Sequence, residues 1–206
     1  MSLELYIGFV LASCLILIIP GPTIILVVSQ AISHGKRSVA PLAAGVVAGD
    51  FTAMTLSLLG LGSLLSVSAE LFNLLKWIGA IYLIYLGVRL WTSKSNKVEI
   101  QSEQGDSSGR FLFRSSFIVT ALNPKSITFF IAFFPQFISG SGTIGQLFVL
   151  GLTFLALAAL NALIYGMFAG QFNDILQKQS ARQWLNRGGG SALIGAGIVT
   201  AGLKQV

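Results

Sequence analysis

Six long apolar stretches dominate this sequence, and short polar segments separate them. A helix needs ~20 mostly apolar residues to cross the hydrocarbon core of a bilayer. A water-soluble fold of this size could not hide the apolar surface of a chain that is 54% hydrophobic and 10% charged. The sequence therefore predicts an all-α integral membrane protein with six transmembrane helices. The six stretches are 4–32, 39–65, 70–92, 114–138, 145–170 and 187–203.

Basic residues are distributed unevenly between the two sides of the predicted membrane. The sixth stretch is short and glycine-rich, so a five-helix chain is the alternative, but that count would spoil the asymmetry. With six helices, only Lys76 and Lys204 lie on one side, and the richer side is assigned to the cytoplasm. The net charge of +6 thus indicates topology rather than nucleic-acid binding, with a cytoplasmic loop 93–110 and external termini. The cytoplasmic basic residues are Lys36, Arg37, Arg89, Lys94, Lys97, Arg110, Arg114, Lys178, Arg182 and Arg187.

The two halves of the chain have the pattern of an inverted repeat. Each half, 1–92 and 111–206, holds three predicted helices, so the second half enters the membrane in the opposite orientation. The segment "LKWIGAIYLIYLGV" at 75–88 aligns without gaps with "LNRGGGSALIGAGI" at 185–198. Inverted repeats of this kind are typical of secondary transporters. The pattern predicts one transporter domain over 1–206, built from two three-helix repeats.

Prolines interrupt helices 1 and 4 at matching places in the two repeats. A single proline is often a tolerated kink in a membrane helix. Paired interruptions, however, indicate a substrate site near the midplane, where unwound backbone offers free carbonyls and amides. "PGPT" and "NPKS" are therefore predicted to contribute to substrate binding. They contain Pro20, Gly21, Pro22 and Thr23 in helix 1, and Asn123, Pro124 and Lys125 in helix 4.

Asp50 is an acidic residue predicted to lie about 16 Å from the start of helix 2, close to the bilayer centre. A charged, unpaired carboxylate there costs at least about 2.5–3.5 kcal/mol, so such residues are usually functional. We expect Asp50 to exchange a proton during transport or to anchor a substrate ammonium group. The alternative is a structural ion pair or a protonated, hydrogen-bonding acid. Gly45 and Gly49 beside it form a GxxxG step that allows close helix packing.

Other polar residues at membrane depth are candidates for the same site. Lys125 could pair with Asp50, bind a substrate carboxylate, or extend its side chain to the cytoplasmic face. Asn123 and Asn161 could each contact substrate or join neighbouring helices, and Asn161 holds in helix 5 the place that Asp50 has in helix 2. Further candidate lining residues are Thr23, Ser126, Tyr82 and Tyr85.

Several other chemistries are disfavoured by what the sequence lacks. Cys14 and His34 are the only residues of their types, which argues against disulfide, redox-pair, histidine-metal and Ser–His chemistry. There is no GxxxxGK[ST] loop for nucleotide hydrolysis. We therefore expect no cofactor, no metal and no enzymatic activity. A redox or assembly protein of related architecture and a passive small-solute channel remain alternatives to transport.

Four ordered motifs give the chain a family resemblance. "PGPT", "AGVVAGD", "LKWIGAIYLIYLGVRLW" and "LNPKSITFF" resemble the lysine exporter superfamily, and within it the homoserine/threonine exporter branch. The resemblance implies a bacterial inner-membrane exporter of amino acids or close derivatives, driven by protons, with a homodimer as a candidate assembly. Its motif positions here are Pro20, Gly21, Pro22, Gly49, Asp50, Asn123, Pro124 and Lys125.

Overall fold

The computed structural model describes residues 1–65, 69–92, 108–138 and 144–202, and the regular structure in these ranges is entirely helical. This agrees with the predicted all-α membrane protein. Most of the predicted cytoplasmic loop 93–110, as well as Lys204, falls outside the described residues. The helices are α1 (Leu3–Ile18), α2 (Pro22–His34), α3 (Val39–Leu65), α4 (Ala69–Thr92), α5 (Gly109–Ala121), α6 (Pro124–Thr128), α7 (Ile144–Met167), α8 (Ala169–Gln177) and α9 (Gln179–Gly202).

Two helices within the described ranges are long and apolar enough to cross a membrane unaided. They are Lys36–Gly60, which includes most of α3, and Ile144–Met167, which is α7. The pair α1 and α2 would make a third span if counted together, with a bend of 55° between its members. These apolar helices fit a multi-pass membrane protein. The short helix α8 was not anticipated as a separate element.

The prolines account for where α1, α2 and α6 begin or end. A residue that precedes proline is disfavoured in the helical conformation, because the proline ring clashes with its backbone. Ile19, Gly21 and Asn123 each precede a proline, and each has extended backbone, with ψ of 114°, −171° and 113°. Pro22 and Pro124 then occupy the first positions of α2 and α6, where the missing N–H is not needed. Both interruptions predicted from the sequence are present.

Glycines allow two helix pairs to pack closely. On α3, a Cβ added to Gly49 would lie 2.7 Å from Thr120 Cβ on α5, and one added to Gly45 would overlap Ser116 Oγ. The GxxxG step therefore faces α5. In a second helix pair, a Cβ on Gly87 of α4 would lie 2.6 Å from Gly190 O of α9. Larger residues at these positions would force the helices apart.

Among the described residues, phenylalanines dominate a large buried core cluster around the segment that follows α6. After α6 the chain makes a π-helical turn (Phe129–Phe133) and a 3₁₀ turn (Phe134–Phe137). Phe9 of α1 packs edge-on against Phe134, with ring centroids 5.3 Å apart, and Phe154 of α7 contacts Phe130 at 4.9 Å. The contact between Phe9 and Phe134 joins the first and second halves of the chain, and the contact between Phe130 and Phe154 joins the segment after α6 to α7.

Candidate functional site

The ammonium group of Lys125 reaches across the bundle to the interrupted end of α1. Its Nζ donates hydrogen bonds to the backbone carbonyls of Ile16 and Ile19, at 2.9 and 2.8 Å. The last four carbonyls of a helix lack intrahelical partners, and the helix dipole places partial negative charge there. Lys125 therefore supplies both hydrogen bonds and a countercharge to the end of α1, rather than extending towards the cytoplasmic face.

The two carbonyls between those bound by Lys125 also have side-chain partners. Asn161 Nδ2 donates to Leu17 O at 3.1 Å, and Tyr165 Oη donates to Ile18 O at 2.7 Å. Asn161 and Tyr165 are four residues apart on α7, so they lie on one face of that helix. Side chains from α6 and α7 thus satisfy four consecutive carbonyls at the end of α1.

Thr23 and Asn123 join the two interruptions directly. Thr23 Oγ1 accepts hydrogen bonds from Asn123 Nδ2 at 3.1 Å and from Thr120 Oγ1 at 3.3 Å. All three side chains are buried. Asn123 also caps α6, because its Oδ1 accepts from the backbone N–H of Lys125 at 3.0 Å. One asparagine therefore connects the first turn of α2 to the start of α6.

Asp50 lies beside these two interruptions and is almost completely buried, with 2% of its surface exposed. Its side chain forms a hydrogen bond with Ser126 of α6 and interacts electrostatically with Lys125. The Oδ1 atom has no hydrogen-bond partner among the described residues. A buried carboxyl group with an unused oxygen next to a lysine is able to accept a proton or a second hydrogen-bond donor.

The N-terminus of α2 has no side-chain cap, unlike the N-terminus of α6. The residue before α2 is Gly21, which has no side chain to cap the helix. The Lys125 side chain passes close to it, since a Cβ added to Gly21 would lie 3.4 Å from Lys125 Nζ. The interruption between α1 and α2 therefore brings together the carbonyl end of α1, the uncapped N-terminus of α2 and the Lys125 ammonium group.

Most of the predicted site residues meet at this position, but not all do. Pro20, Pro22 and Pro124 shape the backbone, whereas Gly49 lies at the contact between α3 and α5. Tyr85 is 54% exposed, and its ring packs against Tyr82 at 6.1 Å rather than against the interruptions.

Sequence reasoning missed Tyr165 and Thr120. Each lies four residues from a polar residue on the same helix, Asn161 and Ser116 respectively, which places each pair on one helical face. That spacing is the signal that could have identified them.

A cavity of about 330 Å³ lies elsewhere, between α3 and α7. Its lining is mostly apolar and includes Phe51, Met54, Leu58, Phe148 and Leu155, but neither Asp50 nor Lys125. Within the described ranges, no three His, Cys, Asp or Glu residues are grouped to hold a metal ion. At the interruptions, the polar side chains of Thr23, Asn123 and Lys125 are hydrogen-bonded within the protein.

Apolar helices with two proline-containing interruptions, and with a partly buried lysine and a buried aspartate beside them, have the architecture of a membrane translocator. The chain belongs to the LysE type translocator family, whose sequence model matches residues 14–203. Members of this family are transporters, so the chain is a membrane transporter and not an enzyme.

Named relatives agree with this assignment. The homoserine/homoserine lactone efflux protein of Salmonella typhi is 33% identical over the full length of both chains. The leucine efflux protein of an Enterobacter species is 32% identical over 80% of this chain and 78% of its own. A Vibrio cholerae protein described only as a membrane protein is 29% identical over 99% of this chain and all of its own. No solved structure matches the chain. These similarities support amino-acid export across a membrane as its function.

Proposed function

We propose that this protein is a proton-coupled secondary exporter of amino acids or close derivatives in the bacterial inner membrane. The observation that carries the proposal is the direct bonding between the two interruptions, next to the buried carboxyl group of Asp50. A site built from both halves of a transporter can open to either side when one half moves against the other. Within this proposal, we assign the mutually bonded arrangement to a state between the two openings.

Six spans in two inverted repeats, 1–92 and 111–206, are part of this proposal. Helix packing supports it, because α4 packs along α9 and α3 packs against α7, as corresponding helices of two repeats would do about a central axis. The distribution of basic residues supports external termini and a cytoplasmic loop 93–110. Reporter fusions at the C-terminus test this topology, and a cytoplasmic C-terminus would contradict it. We also propose that the protein forms a homodimer.

Asp50 is the residue that we propose carries the proton. It is buried at membrane depth, it lies beside a lysine, and its Oδ1 is without a partner among the described residues. Ionisable residues in such positions are typical of proton relays. Protonation would change the charge next to Lys125 without requiring any further ion, and this is how a pH gradient could drive the site between two conformations.

The names of the relatives and the chemistry of the interruption support a substrate class with a primary amine. Homoserine and its lactone share a primary amine, but only homoserine has a carboxylate. A transporter of both would therefore have to recognise the amine. Here the carbonyl end of α1 is suited to an ammonium group, and the uncapped amide end of α2 is suited to a carboxylate when one is present.

The experiment that tests this function uses purified protein in liposomes loaded with labelled homoserine or leucine. We expect efflux that increases when a pH gradient, acidic on the receiving side, is imposed. Asp50→Asn should abolish the gradient-driven component, because the amide cannot exchange a proton. Asp174→Asn is the matched control, since Asp174 is exposed on α8 and should not affect transport. Undiminished gradient-driven efflux through Asp50→Asn would contradict the coupling role, and gradient-independent flux through the wild type would indicate a passive channel.

A further inference from the structure

The ammonium group of Lys125 occupies a position that would also suit the ammonium group of a ligand. Its Nζ lies 2.9 and 2.8 Å from the carbonyl oxygens of Ile16 and Ile19, at the negative end of the α1 dipole. A primary ammonium group has three N–H donors, and a substrate amine offers the same three. The side chain that fills this position is therefore chemically equivalent to the group that the proposed substrates have in common.

We propose that the carbonyls of Ile16 and Ile19 form the substrate-ammonium subsite, and that Lys125 occupies it in the absence of substrate. This inference rests on the proposed function. When a substrate amine binds these carbonyls, the ammonium group of Lys125 moves to Asp50. The two residues already interact electrostatically, and Asp50 Oδ1 has no hydrogen-bond partner among the described residues, so it can accept the displaced donor.

This exchange couples the proton to the substrate through one side chain. A protonated Asp50 is neutral and attracts Lys125 weakly, so Lys125 stays on the α1 carbonyls and substrate is excluded. An ionised Asp50 attracts Lys125, and the subsite becomes free. The site then accepts either a proton or a substrate molecule, but not both, which is the requirement for exchanging one for the other across the membrane.

Within the part of the chain that the structure describes, two other titratable or charged groups near this position already have partners. Tyr165 of α7 is the neighbouring titratable group on that side, and its hydroxyl already donates to Ile18 O. From α9, which contacts Ile19 through Gly189, the nearest cation along the chain is Arg187, whose guanidinium lies over the ring of Trp91 at 5.6 Å. At this position α1 contributes backbone carbonyls.

Substitutions of the two charged residues test the inference by the sign of their effects. Binding of labelled homoserine is measured on the full-length protein in lipid nanodiscs. We expect Asp50→Asn to bind about tenfold more weakly than wild type, because Lys125 then stays on the carbonyls. Adding Lys125→Met in that background should restore most of the affinity, since the competing ammonium is gone. Lys178→Met, at an exposed lysine beyond α8, is the matched control and should restore nothing.

The opposite result would overturn the inference. If Lys125 binds the substrate carboxylate, or only stabilises the helix end, the double variant will bind no better than Asp50→Asn. Each variant is first confirmed as monodisperse by size-exclusion chromatography.

A second measurement needs no substitution. The wild type should bind homoserine and its lactone to within about tenfold of each other, and 2,4-dihydroxybutanoate, which has a hydroxyl in place of the amine, far more weakly. Equal binding of homoserine and the dihydroxy acid would overturn the subsite even if no variant folds. If the wild type binds and exports no amino acid, the proposed function fails as well. If the wild type exports amino acids but the Asp50→Asn/Lys125→Met variant does not recover affinity for homoserine, this inference alone fails.

Discussion

The two helix interruptions differ in how their backbone groups are satisfied. The second is self-sufficient, because Asn123 caps α6 with its own side chain and the N–H groups of Leu122 and Asn123 bond back to carbonyls of α5. The first depends on the other half of the chain. The carbonyls at the end of α1 are bound by Lys125, Asn161 and Tyr165, and α2 starts at a glycine without a cap.

This difference indicates which interruption can change. An interruption held by its own residues keeps its shape when neighbouring helices move. The first interruption has its partners on α6 and α7, so its carbonyls lose their hydrogen bonds when the two halves separate. Unsatisfied carbonyls are costly in a membrane interior. Substrate groups can replace those partners. The first interruption is therefore the more suitable place for binding, and the second serves as the fixed support that presents Lys125.

The largest effect on stability is expected from Lys125→Met. This substitution leaves two carbonyls of α1 without donors and Asp50 without a neighbouring cation. Removing one member of a buried charged pair typically costs about 3–5 kcal/mol. We expect a loss near the lower end of this range, measured as the free energy of unfolding in detergent. The double variant Asp50→Asn/Lys125→Met should recover part of it, because no isolated charge remains. Additive losses would show that the two residues are not coupled.

Asn123→Ala should have the next largest effect, and it separates the two roles of this residue. Alanine removes the cap of α6, worth about 1 kcal/mol, together with the hydrogen bond to Thr23. Asn123→Ser is the matched variant, since serine caps helices but is too short to reach Thr23. We expect the alanine variant to be less stable than the serine variant by about 1 kcal/mol in the free energy of unfolding. Equal stabilities would mean that the cap contributes nothing and that the second interruption is not self-sufficient.

The sequence was sufficient to predict the interruptions but not the bonds between them. Proline acts on the residue that precedes it, so the ends of α1 and the starts of α2 and α6 follow from local chemistry. The GxxxG step at Gly45 and Gly49 likewise predicted close packing, although not that α5 would be the partner. The contact between Lys125 and Ile16 joins residues 109 positions apart. Such contacts depend on how whole helices are arranged, and no local pattern encodes that arrangement.

The smallest effect is expected from Tyr165→Phe, which tests one bond of the first interruption in isolation. The ring of Tyr165 packs against Phe172 with centroids 4.2 Å apart, and phenylalanine keeps that contact while losing the hydroxyl that donates to Ile18 O. Hydrogen bonds between membrane helices contribute about 0.6 kcal/mol on average and at most about 1.7 kcal/mol. We expect a loss within this range in the free energy of unfolding. Tyr85→Phe, at an exposed position on α4, should cost nothing measurable. If both variants are as stable as the wild type, the carbonyl of Ile18 does not need a partner from α7, and the dependence of the first interruption on the other half rests on Lys125 and Asn161.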